Sequence, residues 1–279
     1  MKEPDDLISI IVPVYNAGNY IEEAIAMVQA QTYDNWELIL VDDCSTDDSC
    51  VRIEECIEHW HASGGGLPQG HCQAPKEGAK DCVTKEGKIR LIKKGVNEGA
   101  AMARNTGIQA ALGRYIAFLD ADDVWIKDKL KKELMFLKEK QAAFVFTAYE
   151  FGDEQSKGTG KVVHVPETLT YRQALSRTVI FTTTVLIDTE KTGRELIRMP
   201  AVKSEDTATW WKILRGGFTA YGLDEVLAIY RRPAKSLSSN KLEAIRRIWN
   251  LYRKEEALSF GYSVYNLFFW ALRATIRRL

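Results

Sequence analysis

The chain has 279 residues, with 38 basic and 38 acidic side chains and a formal net charge of zero, so global charge argues for neither a nucleic-acid nor an acidic partner. A hydrophobic fraction of 46% supports a sizeable core in one large domain or one domain with an appendage. Five cysteines without regular pairing make no disulfide framework and fit a reducing compartment, the N-terminus carries no signal-peptide pattern, and no uncharged apolar run reaches the ~18 residues of a membrane span.

Leu7 to Val14 is a β-branched run and reads as a buried strand, with Pro13 ending its pairing and Tyr15-Asn16 opening the loop beyond. A helix follows from Asn19, the expected N-cap, with Ile21, Ala24, Ile25 and Val28 at helical spacing. Trp36 to Val41 is a second strand ending in Asp42-Asp43. Ser45-Thr46-Asp47-Asp48 then caps a helix through about Ile57. Residues 59–87 are rich in Gly and Pro and lack apolar periodicity, so they read as an inserted loop. His59, His61, His71, Cys72 and Cys82 lie in this stretch, but their spacing fits no compact zinc pattern.

Lys88 to Lys94 reads as an edge-like strand, and Asn97 to Gly107 as a helix of small residues that can approach a backbone or ligand closely. Tyr115 to Leu119 is an apolar run, the mark of a strand buried on both faces. It breaks into Asp120, Asp122 and Asp123. Carboxylates at the C-terminal end of a buried strand stand where open α/β sheets keep their ligand crevice. So close together they repel unless a hard cation such as Mg²⁺ or Mn²⁺ lies between them; the bland alternative is a solvated acidic turn.

Asp128 caps a charged helix, Lys129 to Lys140, and Ala142 to Phe151 returns as a strand. The alternation of strand and helix predicts an α/β fold with a mostly parallel sheet. Beyond it, Gly158 to Val165 reads as a hairpin arm, Thr170 to Arg177 as a short helix and Thr182 to Asp188 as strand-like. Glu205-Asp206 precede a helix from Thr207 to Arg215 closed by Gly216-Gly217, and Phe218 to Arg232 is one long strand or a pair. Two terminal helices, 242–258 and 263–279, complete the chain. From Lys241 onward eight basic residues face three acids, a net of +5, and Tyr265, Phe268, Phe269, Leu272, Ile276 and Leu279 fall at helical spacing. Such a helix can lie on an anionic membrane surface, dock on the domain or form a dimer contact.

Five motifs occur in one order: Val12-Pro13-Val14-Tyr15-Asn16; Asp42-Asp43-Cys44-Ser45-Thr46-Asp47; Asn97-x-Gly-x-x-x-Ala103-Arg104-Asn105-x-Gly107; Phe118-Leu119-Asp120-Ala121-Asp122-Asp123; and Glu205-Asp206. In order and spacing they resemble the family 2 glycosyltransferases with a GT-A fold, over residues 7 to 232. The region from Glu205 through Tyr230-Arg231-Arg232, Ser236-Leu237-Ser238 and Trp249 further resembles the bacterial polysaccharide branch that includes the teichuronic acid (TuaG-like) transferases.

The resemblance implies inverting transfer of a sugar from a nucleotide sugar, UDP by preference, to an acceptor hydroxyl in cell-surface polysaccharide biosynthesis. The expected architecture is a Rossmann-like mixed sheet flanked by helices. A catalytic domain would span 1–235, with the donor half about 1–123 and the acceptor half about 124–235, followed by a helical extension, 236–279. Pro13, Tyr15, Asn16, Asp42, Asp43, Asn97, Arg104, Asn105, Asp120, Ala121 and Arg231 would bind the nucleotide sugar. Tyr15 would stack on the base, and Asp43 would accept the uracil N–H while Asp42 supports the turn or shares that task. Asp122, with Asp120, would hold a divalent cation, Mn²⁺ or Mg²⁺, and Asp206 would be the general base. Glu205 would meet the acceptor, as would one of Trp210 and Trp211 with the other facing the core, core packing of both tryptophans being the alternative. Arg231, with the Ser236-Leu237-Ser238 loop, would close over the diphosphate. The partners implied are a nucleotide-sugar donor, a saccharide or lipid-linked saccharide acceptor, no nucleic acid, and the inner face of the plasma membrane through the last helix.

Two rivals fit less of the sequence. A sugar-nucleotide nucleotidyltransferase would want a Gly-rich basic loop after the first strand, and Tyr15-Asn16-Ala17-Gly18 offers none. A non-catalytic binding module would be expected to have lost Asp120, Asp122 or Asp206, and all three are present.

Overall fold

The computed structural model describes residues 6–63, 82–83, 87–231 and 241–276. Its centre is an eleven-stranded mixed sheet in the order β3-β4-β2-β1-β5-β10-β7-β11-β6, with β8 on β7 and β9 on β11. The strands are β1 (Ile8–Val14), β2 (Trp36–Asp42), β3 (Cys82–Val83), β4 (Ile89–Lys93), β5 (Tyr115–Phe118), β6 (Val124–Trp125), β7 (Phe144–Gly152), β8 (Gly158–Val163), β9 (Thr168–Leu169), β10 (Val185–Asp188) and β11 (Ala220–Arg231). The helices are α1 (Ile21–Gln29), α2 (Ser49–Ala62), α3 (Ala100–Ala110), α4 (Lys129–Glu139), α5 (Tyr171–Leu175), α6 (Thr189–Thr192), α7 (Arg194–Ile197), α8 (Glu205–Arg215), α9 (Lys241–Asn250) and α10 (Phe260–Ile276).

β4, β2, β1 and β5 run parallel, so their C-terminal ends share one edge. β10 is antiparallel to β5 and β7, while β7 and β11 are parallel again. The mostly apolar runs of β1, β2 and β5 are buried on both faces, as helices on both sides of a parallel sheet require, and the buried Ser9 and Glu37 among them bond each other at 2.6 Å. Gly107 sets how closely α3 lies on β1: a Cβ there would stand 2.4 Å from Ile11 Cγ2. That close approach brings the first turns of α3 to the strand ends.

Several boundaries differ from the sequence reading. Asn19 is not the cap of α1; Tyr20 takes that place without a side-chain bond. α2 runs on to Ala62, well past Ile57, because Trp60 packs on Trp36 at a ring separation of 6.1 Å. His59 and His61 are therefore helical, while His71 and Cys72 lie outside the described residues. The Lys88–Lys94 strand is not the edge, since β3 pairs beyond it. The run from Phe218 is one long strand, β11, with register shifts against β7.

The terminal helices dock on the domain. After α9 the chain makes a π-helical turn, Leu251–Glu255, and Tyr252 stacks on Trp211 at 5.3 Å with parallel planes. No described helix is long and apolar enough to cross a membrane.

Candidate active site

The ends of β1, β2 and β5 and the start of α3 enclose a cavity of about 570 Å³. Pro13, Tyr15, Asn16, Asp43, Asn97, Arg104, Asp120, Ala121 and Asp122 all line it, so four of the five motifs converge there. Tyr15 is 54% exposed, which leaves its ring free to meet a ligand.

Much of this wall is fixed by side chains bonding across loops. The Asn16 N–H donates to Ser45 Oγ at 2.9 Å, and Asn16 Oδ1 accepts from the Thr46 N–H at 2.8 Å. These bonds clasp the loops after β1 and β2, and Asn16 tolerates the left-handed φ of 51° that they demand. Asp43 accepts from Lys94 Nζ at 2.5 Å and from the Gly99 N–H at 2.6 Å, so it anchors the turn from β4 into α3 while lining the cavity. Asp42 is buried but does not line the cavity; its Oδ2 accepts from the Ser45 N–H, the turn-supporting alternative of the two expected.

Arg104 is buried at the cavity wall and bridges two segments. Its Nη2 donates to Asp120 Oδ1 at 2.6 Å and its Nη1 to Glu205 Oε1 at 2.9 Å. Burial raises the Glu205 carboxyl above its ordinary range, the charge of Asp206 adds to the rise, and Arg104 opposes it. Asp122 is also raised, first by burial, then by the charge of Asp120, with Arg231 and Arg104 pulling the other way.

Asp123 is the site residue that sequence reasoning quoted but left without a role. It is 1% exposed, and burial with the charges of Asp120 and Asp122 pushes its carboxyl well up. Its Oδ2 accepts from Thr183 Oγ1 at 2.5 Å, Thr183 Oγ1 accepts from the Asp120 N–H at 3.3 Å, and the Asp123 Oδ1 has no hydrogen-bond partner among the described residues. Tyr20, Phe181 and Tyr230 also line the cavity and were missed. Phe181 and Tyr230 pack together at 4.6 Å beyond the aspartates. The signal available was the Thr182-Thr183-Thr184 run, whose polarity at the mouth of a buried strand asks for a purpose.

Other expected residues stand elsewhere. Asn105 does not reach the cavity: its Nδ2 donates to Met199 O and its Oδ1 accepts from the Met199 N–H, both at 2.8 Å. An amide with both ends committed to backbone is a structural clamp, and the expected nucleotide contact is corrected accordingly. Trp210 and Trp211 are both 2% exposed. Trp210 packs between Phe118 and Phe144 and Trp211 stacks on Tyr252, so neither presents a face to an acceptor. Arg231 lies behind the cavity, paired with Glu23 at 2.5 Å and stacked over the Tyr20 ring at 4.6 Å. Arg232 and Ser236-Leu237-Ser238 lie outside the described residues.

Asp206 opens α8 beside Glu205 and is not part of the cavity wall. Its Oδ2 accepts from Thr182 Oγ1 at 3.3 Å, and Thr182 directly follows Phe181 of that wall. The site thus sets a cluster of three aspartates on one side and a second acidic pair, Glu205-Asp206, on the other, with Arg104 between them.

The family model described as Glycosyl transferase family 2 matches residues 9–64 and 73–195. The Bacillus subtilis (strain 168) glycosyltransferase TuaG, named for teichuronic acid biosynthesis, is 40% identical over 277 residues, 98% of either chain. The Escherichia coli protein named UDP-Glc:alpha-D-GlcNAc-diphosphoundecaprenol beta-1,3-glucosyltransferase WfgD is 32% identical over 248 residues, 88% of this chain and 85% of its own. Among solved structures, the mannosyltransferase PcManGT from Pyrobaculum calidifontis, in complex with GDP-Man and Mn²⁺, superposes with a TM-score of 0.67 at 19% identity. That match covers 90% of this chain and 64% of that one, and it establishes the GT-A fold.

Proposed function

Because the chain belongs to glycosyl transferase family 2, we propose that it transfers a sugar, with inversion, from a UDP-sugar to a hydroxyl of a saccharide acceptor during assembly of a bacterial surface polysaccharide. The observation that carries the reading is the single cavity at the strand ends, into which separate motifs deliver Tyr15, Asp43, Arg104, Asp120 and Asp122. The names of the TuaG and WfgD relatives support the polysaccharide pathway, a UDP donor and an acceptor on a lipid diphosphate.

In this reading Tyr15 stacks on the base and Asp43, already held by Lys94, accepts from its N–H. Asp120 and Asp122 would hold a divalent cation, Mn²⁺ or Mg²⁺. Among the described residues no group of three or more side chains is set to hold a metal by itself, so Asp120 and Asp122, which both line the cavity, would share the cation with diphosphate oxygens and water; the raised Asp122 carboxyl fits such a partner. Bound there, the cation would supply positive charge against the departing diphosphate. The complex of PcManGT with Mn²⁺ is consistent with that fit. Arg104 keeps Asp120 oriented, and its bond to Glu205 fixes the start of α8.

Asp206 takes the acceptor proton. Inversion needs attack from the side opposite the leaving diphosphate, and the bond of Asp206 to Thr182, which follows Phe181 of the cavity wall, supports that role. Residues 1–123 supply the donor side, 124–235 the acceptor side, and the C-terminal helices a peripheral contact with the inner face of the plasma membrane. The test is a thermal-shift screen of nucleotide sugars with Mn²⁺, followed by transfer assays with the donor that shifts most. Stabilisation by UDP-sugars with release of UDP on adding a lipid-linked saccharide supports the reading; no shift with any nucleotide sugar overturns it.

A further inference from the structure

α10 buries two polar side chains and exposes several large apolar ones. Its buried positions include Ser263, 0% exposed, and Asn266, 1% exposed, while Val264, Tyr265, Phe268 and Leu272 are 46%, 57%, 64% and 46% exposed. At about 100° per residue those four fall on a single arc of the helix. The polar atoms turned inward are satisfied: Ser263 Oγ donates to Ser259 O and Asn266 Nδ2 to Tyr262 O, both at 2.8 Å. Polar bonds also fix the helix to the end of α5. Trp270 Nε1 donates to Thr178 Oγ1 at 2.8 Å and Arg273 Nη1 to Ser176 Oγ at 2.6 Å. Leu267 and Trp270 pack against the core beside Ser263 and Asn266, and the helix still turns a continuous apolar arc outward, an arrangement that suits a medium less polar than water.

Beside this face, between α5 and α10, lies a second cavity of about 600 Å³. Arg172, Arg177 and Arg273 line it, together with Tyr262, Tyr265 and Asn266, and no described carboxylate does. Tyr265 belongs to both the cavity and the exposed arc, so the arginines stand at the border of the apolar surface. Three guanidinium groups beside aromatic rings that can rest at headgroup depth match a phosphate carried on a lipid. A second copy of the chain is the poorer occupant: a two-fold pairing through this face would set one arginine cluster near its equal, with no described carboxylate in the cavity to offset it.

We propose that the α10 arc lies on the membrane surface and that the Arg172–Arg177–Arg273 cavity receives the phosphate headgroup of an anionic phospholipid. The contact deepens the membrane side of the proposed function and rests on it. It also has a use there: the segment after α5 leads from Thr178, which holds α10, to Phe181 of the donor cavity and Thr182 beside Asp206. Docking α10 on the bilayer would therefore present the acceptor side of the site to saccharides carried at the membrane surface.

The test is flotation of the full chain with phosphatidylcholine vesicles, with and without phosphatidylglycerol. Wild type should prefer the anionic vesicles. Arg172→Gln should weaken that preference about fivefold, the share of one basic residue at an anionic surface. Phe268→Ser with Leu272→Ser should abolish flotation, and UDP binding by all variants serves as the folding control. Equal flotation with both vesicle types, or variants that float like wild type, would overturn the proposal. So would self-association in light scattering that Phe268→Ser breaks, which would assign the face to a second copy. Saturable binding of inorganic phosphate lost in Arg172→Gln, with flotation unchanged, would make the cavity a soluble-anion site instead and likewise overturn it. Transfer to a water-soluble acceptor reads the catalytic site separately: transfer without flotation sinks this inference alone, and flotation without transfer sinks the transferase reading.

Discussion

Arg104 Nη2 donates to Asp120 Oδ1 at 2.6 Å, from a guanidinium whose side chain is only 7% exposed. The same group reaches Glu205, 101 residues on from Arg104, at 2.9 Å, so a single buried cation ties Asp120 to the start of α8.

Replacing Arg104 by Gln should therefore act twice. The two carboxylates lose a shared counter-charge, and breaking a fully buried pair costs about 3–5 kcal/mol. Because Asp120 and Glu205 keep 25% and 21% side-chain exposure, a smaller loss of about 2 kcal/mol is expected in urea denaturation. Donor affinity should fall as well, since Asp120 loses its orientation. Unchanged UDP affinity by calorimetry would separate Arg104 from the donor site.

Donor binding should require a divalent cation. Asp122 is raised by burial and by Asp120, and a cation between them relieves both. UDP affinity measured by calorimetry with Mn²⁺ should collapse in EDTA, and Asp122→Asn should lose most of the metal dependence. Equal affinity with and without EDTA would remove the cation from the reading.

A second buried pair tests the scaffold. Lys129 Nζ lies 2.6 Å from Glu133 Oε2 on α4, both side chains fully buried, with the ammonium over the Trp125 ring at 4.3 Å. Burial outweighs their attraction: Glu133 is pushed up to about 7 and Lys129 is lowered. Folded Glu133 holds its proton more tightly than the unfolded chain does. Its contribution is therefore full below the ordinary value of 4.5 and is lost as pH rises through about 7. Lys129, lowered, loses its contribution as pH falls through its folded value, so the charged pair costs most between the two. Lys129→Met alone should destabilise by about 3–5 kcal/mol, whereas Lys129→Met with Glu133→Leu should be neutral or stabilising by up to ~4 kcal/mol. Denaturant titrations at several pH values decide. Wild type should lose ground to the double variant between pH 4.5 and about 7; a pH-independent difference would show that Glu133 does not titrate there.

The donor half was legible because its signals are local. Apolar runs fixed β1, β2 and β5, and the polar residues that end or follow them could only emerge at one sheet edge once the strands were parallel. Side-chain direction on helices was not legible. Asn105 and Arg104 are neighbours on α3, yet one clamps Met199, 94 residues on, and the other faces the cavity. Trp210 is claimed by Phe118 and Phe144 of the sheet, contacts no local pattern foretells. For α10, spacing revealed an apolar face but not that Ser263 and Asn266 would take the buried side.

The last expectation concerns the base. Glu205 and Asp206 are adjacent acids at the start of α8, and their surroundings part them. Glu205 is bound to Arg104, an ion pair that commits its Oε1 and makes it a strut. Asp206 has no such partner among the described residues: its Oδ1 accepts from the Thr207 N–H and its Oδ2 from the Thr182 hydroxyl at 3.3 Å, a weak bond that an acceptor hydroxyl could displace. An acceptor hydroxyl is a very weak acid and loses its proton only as the new C–O bond forms, where a positioned base contributes ~10²–10⁴-fold. Asp206→Asn keeps the shape and removes the basicity, so turnover should drop by about that factor while UDP affinity stays within a few-fold. Glu205→Gln should affect stability and donor affinity, through Arg104, more than the chemical step. Steady-state kinetics of the two variants, with UDP calorimetry alongside, distinguish these roles; near wild-type turnover in Asp206→Asn, or a chemical defect confined to Glu205→Gln, would move the base from Asp206.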